Sequence, residues 1–238
     1  MARLTSINNT ILGAVYDELK KNIISLHLAP GTVISTQEMA TKLNVSRTPV
    51  REAFLRLQSE DLVETIPQKE TIVSRINLKR VEQERFLREA LEIAAIPYFL
   101  EHCSGEVLEK LRKNVKRQRE FCFRKDYVGF VAQDNEFHRL IFEVADQQLS
   151  WNVIMNNNGH YNRIRTLTVQ NEETLESSVC QHEYMIEMMQ LRQADKLCDE
   201  FKNHVRKINE EKKDLIRKHK DFFSDGEQSV HSITIGTL

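Results

Sequence analysis

Two arginines and a small set of carboxylate and imidazole groups are the side chains of this 238-residue sequence whose types and spacing suit chemistry. Arg47 and Arg51 stand four residues apart in SRTPVREA, so on a helix both guanidinium groups leave one face. Each has the fork that pairs with O6 and N7 of guanine, a contact worth about 1–3 kcal/mol of discrimination. An isolated arginine pair on a solvated helix reads nothing, so the assignment depends on the element that carries it. Further along, Asp134 and His138 are four apart in QDNEFHRLIF, one helical turn, which brings a carboxylate oxygen and an imidazole nitrogen to one point. Alone, they make an i,i+4 ion pair. His182 and His204 come from two later helices, separated by a turn at 193–195.

The elements that must position these groups are legible in the hydrophobic pattern. Leu12, Val15, Leu19, Ile23 and Leu26 recur with helical period, and Ala29-Pro30-Gly31 ends that helix. Ser35-Thr36-Gln37-Glu38 has capping-box spacing and starts a short second helix with Met39, Ala40 and Leu43 inward. Asn44 suits a left-handed turn, and Ser46 caps a third helix that has Pro49 in its first turn and buries Val50, Phe54 and Leu57. Residues 62–66 and 71–76 are rich in β-branched types and flank Pro67-Gln68-Lys69-Glu70, which predicts a two-stranded wing. Three helices followed by a β-ribbon make a winged helix-turn-helix, with Arg47 and Arg51 near the N-terminus of its recognition helix. Ser46, Thr48 and the helix N–H groups there suit phosphate oxygens.

From Leu78 onward the pattern is helical, with breaks at Ser104-Gly105 and near 125–126, 146, 170 and 193 that predict about six helices. In the first, Leu87, Leu91, Ala94 and Tyr98 form the expected buried stripe, Arg88 and Glu92 share another face, and Pro97 predicts a kink. The chain is therefore mainly α: a winged helix-turn-helix at 1–77, an all-α antiparallel bundle at 78–221 and a flexible tail at 222–238.

Composition excludes several classes. Apolar residues make up 40% and charged residues 29%, too apolar for a disordered chain. Net charge is −1, and residues 1–75 carry nine basic against eight acidic groups, so DNA contact must come from local placement of charge. The four cysteines contain no Cys-x-x-Cys pair, which argues for buried thiols rather than a zinc knuckle. No apolar run is long enough to span a bilayer and no signal segment opens the chain, so a cytoplasmic protein is expected.

Residues 30–63, PGTVISTQEMATKLNVSRTPVREAFLRLQSEDLV, resemble the signature of the GntR family of bacterial regulators in the Pro-Gly turn, the Ser-Arg-Thr-Pro-Val-Arg-Glu-Ala core and the closing Leu-Val. The resemblance implies that Arg47, Thr48 and Arg51 read bases and phosphates, with Ser35, Thr36 and Gln37 adding backbone contacts. At the wing tip Glu70 follows Lys69 where the family has Gly, and Asp61 replaces a usual Gly. A carboxylate beside phosphates leaves Lys69 a backbone contact rather than a minor-groove probe. The helical half resembles the FCD ligand-binding domain of the FadR subfamily. That likeness implies a divalent transition metal (zinc, nickel or manganese) held by Asp134, His138, His182 and His204, with open positions for an effector carboxylate. It also makes Arg88 a carboxylate anchor. Arg165, His160 and Arg163 fall on the fourth bundle helix, where they either line the pocket or take ordinary surface or packing roles.

The expected protein is a homodimeric repressor of a palindromic operator, released by a small carboxylate effector. Two rivals are a metal-dependent hydrolytic enzyme with a DNA-targeting domain and an architectural DNA-binding protein. The first lacks a motif-bearing general base beside the histidines, and the second leaves the Asp/His set without a use.

Overall fold

The computed structural model describes residues 4–66 and 70–224, the side chains of 4–10 and of Glu210 excepted. Helix α1 (Leu4–Ile24) packs on α3 (Arg47–Ser59), which also receives α2 (Thr36–Leu43). The α1 helix ends two residues before Leu26, which has φ 64° and so belongs to the turn. Gly31 at φ 85° opens the path into a strand. Ser35 accepts the Glu38 N–H at 3.0 Å and starts α2, which Asn44 closes in the left-handed region at φ 52°.

The β part has three strands rather than two. Strands β1 (Val33–Ile34), β2 (Val63–Ile66) and β3 (Glu70–Val73) form an antiparallel sheet in the order β1-β3-β2. Glu70 pairs with Ile66 inside the ladder, not in the loop, and Lys69 lies outside the described residues. Leu19, Ile23, Met39, Val50, Phe54, Leu57, Leu62 and Val73 fill the core between the sheet and the three helices.

The second half is a bundle of α4 (Leu78–His102), α5 (Gly105–Arg124), α6 (Tyr127–Val144), α7 (Gln148–Asn156), α8 (Gly159–Thr168), α9 (Glu172–Gln190), α10 (Ala194–Arg206) and α11 (Ile208–Lys218). Among the described residues it has eight helices, not six, because the expected fourth is cut at Asn157–Asn158 and the expected sixth at Lys207. The other breaks stand where they were expected: Ser104 caps α5, Lys125 and Asp146 take positive φ, and Asn171 caps α9. Within the bundle, α5 lies against α6 and α9, α10 against α4 and α9, and α4 against α6 and α8.

The α4 helix runs unbroken through Pro97, and its faces are the reverse of the sequence expectation. Glu84, Arg85, Arg88, Glu92, Ala95, Ile96 and Phe99 point inward. Tyr98 is 53% exposed and Phe86 66%, Ala90, Ala94 and Pro97 are exposed, and Leu87 and Leu91 are only half-buried. Part of the cost of burying these polar groups is offset by pairing: Arg85 with Glu82 and Glu89 and Arg88 with Glu92 within the helix, Glu84 with the Tyr161 N–H and Glu89 with Arg206 across the bundle.

A third cluster joins the halves: Ile76, Val81, Tyr161, Ile164, Leu167, Val205, Ile208, Leu215 and Phe223. Phe222 and Ser224, at the start of the expected tail, bond the Ile76 backbone at 2.8 and 3.1 Å. The remaining tail, 225–238, lies outside the described residues.

Candidate functional site

On the DNA-reading side, α3 buries Val50, Ala53, Phe54 and Leu57, so its opposite face projects outward. Arg47, Thr48 and Arg51 are exposed on that face, with Ser46 just ahead of them. Among the described residues neither Arg47 nor Arg51 has an ion pair or hydrogen bond to protein. Arg56, one turn on, is committed instead, with its guanidinium 4.0 Å from the centre of the Tyr16 ring. Ser46 stands at the N-cap with extended backbone but makes no capping bond, which leaves its hydroxyl and the first N–H groups of α3 free for phosphate. Ser35 and Gln37 are exposed and Thr36 half-exposed at the start of α2, which packs on α3.

In the bundle, α6 brings Asp134 and His138 inward, α9 supplies His182 and α10 supplies His204. One donor atom from each lies within 4.8 Å of the others, an arrangement able to hold a metal ion. The three Nε2 atoms stand 3.8, 3.7 and 3.6 Å from the Asp134 carboxylate, for His138, His182 and His204 respectively.

Their outer nitrogens are turned to acceptors. Nδ1 of His182 lies 2.7 Å from Gln118 Oε1, Nδ1 of His204 3.1 Å from Gln181 Oε1, and Nδ1 of His138 2.8 Å from Glu92 Oε1. For His182 the tautomer is set by a relay anchored on the backbone. Asn114 Nδ2 donates to the Gln133 carbonyl at 3.0 Å, and Gln118 Nε2 donates to Asn114 Oδ1 at 2.8 Å. Gln118 can then only accept from His182, so Nδ1 carries the proton and the Nε2 lone pair faces inward. The Nε2 atoms of His138 and His182 are buried without a hydrogen-bond partner. Two orphaned imidazole nitrogens beside a carboxylate, with the His182 and His204 rings hydrogen-bonded from behind and the His138 Nδ1 near Glu92 but without hydrogen-bond geometry, make a donor set that suits a divalent transition metal.

The charge state agrees. Burial drives the His138 imidazole down to about 4, and burial with His204 beside it holds His182 well below its usual value, so both rings are neutral. Burial opposes ionisation of Asp134, but Arg165 and the three histidines outweigh it and keep the carboxyl well below the usual range. Arg165 Nη2 donates to Asp134 Oδ2, and its Nη1 donates to Asn135 and Asn162 at 2.9 Å.

Arg88 is 1% exposed, and its Nε donates to Glu92 Oε1 at 2.7 Å. Its Nη1 and Nη2 have no hydrogen-bond partner, and Nη2 lies 3.7 Å from Asp134. Burial would raise the Glu92 carboxyl, yet Arg88 and His138 hold it at about 2. The Arg88 guanidinium thus keeps a free buried edge beside the metal-competent cluster. A cavity of about 40 Å³ opens onto Asp134, Arg165 and His204 and is lined also by Thr168, Thr174, Lys207 and Glu211, but Arg88 is not among the residues that line it.

His160 and Arg163 do not line that cavity. They sit on the other side of α8, where His160 Nδ1 accepts the Asn77 backbone N–H at 3.0 Å and Arg163 donates to the Ser74 carbonyl at 2.5 Å. Thr166 donates to the Ile24 carbonyl at 3.0 Å, and Gly159 packs so closely that an added Cβ would meet a Leu62 methyl at 2.6 Å. One ten-residue helix, buried throughout, thus touches Asp134 through Arg165 and the DNA-binding half through four other residues.

The fold and these two surfaces are those of a winged-helix DNA-binding regulator with a helical C-terminal domain. The description "Bacterial regulatory proteins, gntR family" matches residues 12–73, and "FCD domain" matches residues 85–207. The chain is 30% identical over 211 residues to the HTH-type transcriptional repressor RspR of Escherichia coli K12, covering 89% of this chain and 92% of the relative. It is 33% identical over 170 residues to an HTH-type transcriptional regulator from an unstable DNA locus of Streptomyces ambofaciens, covering 71% and 70%. Among solved structures, E. coli McbR/YncC superposes with a TM-score of 0.75 at 17% identity, covering 87% of this chain and 98% of that one, a likeness of fold. The chain belongs to the GntR family of transcriptional regulators and carries an FCD domain. It is a DNA-binding regulator, not an enzyme.

Gln118, Asn114, Gln181 and Glu92 were not foreseen. Their signal exists only for pairs on one helix, such as Asn114 and Gln118 at i,i+4, and says nothing of the histidine each supports from another helix.

Proposed function

We propose that the protein is a homodimeric repressor that binds a palindromic operator through Ser35, Thr36, Gln37, Ser46, Arg47, Thr48 and Arg51, with Lys69 on the wing. A small carboxylate bound beside a divalent transition metal at Asp134, His138, His182 and His204 releases it. The observation that carries this reading is the convergence of three imidazole Nε2 atoms on one buried carboxylate, two of them without any other partner. When bound, the ion offers coordination positions to the acid. The residues do the rest: Arg165 and Arg88 supply guanidinium edges to the anion, and Gln118 and Gln181 hold the His182 and His204 rings in the ligating tautomer. Zinc, nickel and manganese all suit one oxygen and three nitrogen donors.

Control of DNA binding requires that the acid favour one placement of the reading heads over another. The α8 helix supports this link, because a shift of Arg165 toward an incoming anion moves the helix that holds Ser74, Asn77, Ile24 and Leu62. Dimerisation is supported by the apolar outer face of α4, where Phe86, Ala90, Ala94, Pro97 and Tyr98 meet solvent in a single chain. No described helix is long and apolar enough to cross a membrane, and a chromosomal regulator works in the cytoplasm. Metal analysis of protein refolded with each ion tests the site: one ion per chain in the wild type and none in His182→Ala is expected, and equal content in the two refutes it.

A further inference from the structure

The outward face of α3 carries an apolar side chain among its polar ones. Leu55 is 66% exposed, the one large apolar residue of α3 that meets solvent, and it belongs to none of the three apolar clusters. Val50, Ala53, Phe54 and Leu57 fix the inward direction of the helix. At 3.6 residues per turn Leu55 lies within about 30° of the opposite direction, with Thr48 beside it and Arg51 about 40° to one side. Leu55 therefore stands near the middle of the surface that the helix offers, one turn beyond Arg51 and two beyond Arg47.

A single exposed leucine on a solvated face is ordinary. What sets this one apart is its company. A protein partner seated on Leu55 would also cover Thr48 and Arg51, which a DNA-binding regulator needs for its duplex. Recognition helices touch base edges with side chains two turns apart, so a reach from Arg47 to Leu55 is within their span. The base edges in the major groove present donors, acceptors and one apolar group, the 5-methyl of thymine. Leucine pressed on a donor or acceptor leaves that group dehydrated and unpaired, whereas leucine on the methyl removes apolar surface from water on both sides. Arg51 and Leu55 are about 6 Å apart along the helix axis, and bases stack about 3.4 Å apart, so the two side chains address positions one or two base pairs apart.

We infer that Leu55 is a specificity-determining residue that reads the methyl group of a thymine, one or two base pairs from the guanine read by Arg51, in each half-site of the operator. The inference rests on the reading of this face of α3 as the one that enters the major groove. It gives the regulator a preference that its arginines cannot supply, because a guanidinium fork selects guanine and is indifferent to a methyl two positions away.

The test selects duplexes from a random pool with the full-length wild type and, separately, with Leu55→Ala. The wild type should enrich thymine one or two positions from a guanine in both half-sites, and Leu55→Ala should keep the guanine and lose the thymine. On the wild-type duplex, deoxyuridine in place of that thymine removes the methyl and nothing else. Made in both half-sites, this replacement should weaken wild-type binding about fifteenfold, about fourfold for each buried methyl, and leave binding by Leu55→Ala unchanged. The deoxyuridine arm needs no variant, so it stands whatever the substitution does to folding. The variant separates Leu55 from the Thr48 methyl on the same stripe. Absence of thymine from the selected sites, equal wild-type affinity for the thymine and uracil duplexes, or a methyl effect kept in full by Leu55→Ala overturns the inference and leaves Arg51 as a reader. A pool from which the wild type enriches no sequence takes down the reading of α3 itself, and this inference with it.

Discussion

Replacing Gln118 with leucine removes the acceptor behind His182 without touching any ligand atom. In the wild type, Gln118 Oε1 takes the Nδ1 proton at 2.7 Å, and both side chains are fully buried, so water cannot substitute. A buried N–H left without an acceptor costs about 1–3 kcal/mol. The metal-free variant escapes this by moving the proton to Nε2, where Asp134 Oδ1 stands 3.7 Å away. That tautomer cannot ligate, so the penalty reappears when metal binds. Affinity should fall about 10–100-fold, equivalent to about 1.4–2.8 kcal/mol, while the melting temperature of the metal-free protein changes little. Gln118→Glu keeps an acceptor at the same position and should retain binding within a few-fold. The assay is competition for zinc against a chelating dye, with circular dichroism of the metal-free protein alongside. If Gln118→Leu binds zinc as tightly as the wild type, the tautomer argument, and with it the reason for the relay to Gln133, is wrong.

Three further outcomes can be measured. Arg51→Ala should weaken binding to a selected duplex by about 1–3 kcal/mol and relax preference at one base pair, because its guanidinium has no role within the protein; unchanged sequence preference removes it from the reading face. Phe86→Glu combined with Tyr98→Glu puts charge on the outer face of α4 and should give monomers in sedimentation at micromolar concentration; an intact dimer places the interface elsewhere. His160, driven to about 2 by burial and then by Arg163 and Arg80, stays neutral in the folded state while the unfolded chain takes a proton near 6.5. Its contribution is thus present above pH 6.5 and lost as pH falls below it, by about 1.4 kcal/mol between pH 7.5 and 5.5. Urea titrations should show His160→Gln losing that much less than the wild type, and identical pH dependence would remove His160 as the source.

The sequence carried the DNA-reading half well, because local rules decide it. Asn44 and Asp61 take the left-handed turns their types allow, and the period of Val50, Phe54 and Leu57 leaves Arg47 and Arg51 outside. It read the inner face of α4 backwards. Apolar period alone put Leu87, Leu91, Ala94 and Tyr98 inside, whereas Glu84, Arg88 and Glu92 keep the same i,i+4 period and are buried because Tyr161, His138 and Asp134 meet them from other helices. No window on one helix can show that pairing. The split of the fourth bundle helix was readable in the run Asn156-Asn157-Asn158-Gly159, a cluster of turn formers, but lay hidden under the apolar spacing on either side. Short strand β1 escaped for a similar reason, since two residues carry no period. Resemblance supplied the four metal-competent residues, and the acceptors that turn each ring came only from three dimensions.

The central claim is that an acid at the Asp/His site and the arginines of α3 belong to one switch. Fluorescence anisotropy of a duplex selected by the protein from a random pool, titrated with zinc-loaded wild type and with His182→Ala, with and without a saturating small carboxylic acid that raises the wild type's melting temperature in a screen of such acids, measures it directly. The acid should release the wild type from the duplex and leave the affinity of His182→Ala unchanged, while both bind alike in its absence. Equal release of the two proteins, or no release of the wild type by an acid shown to bind it, contradicts the account.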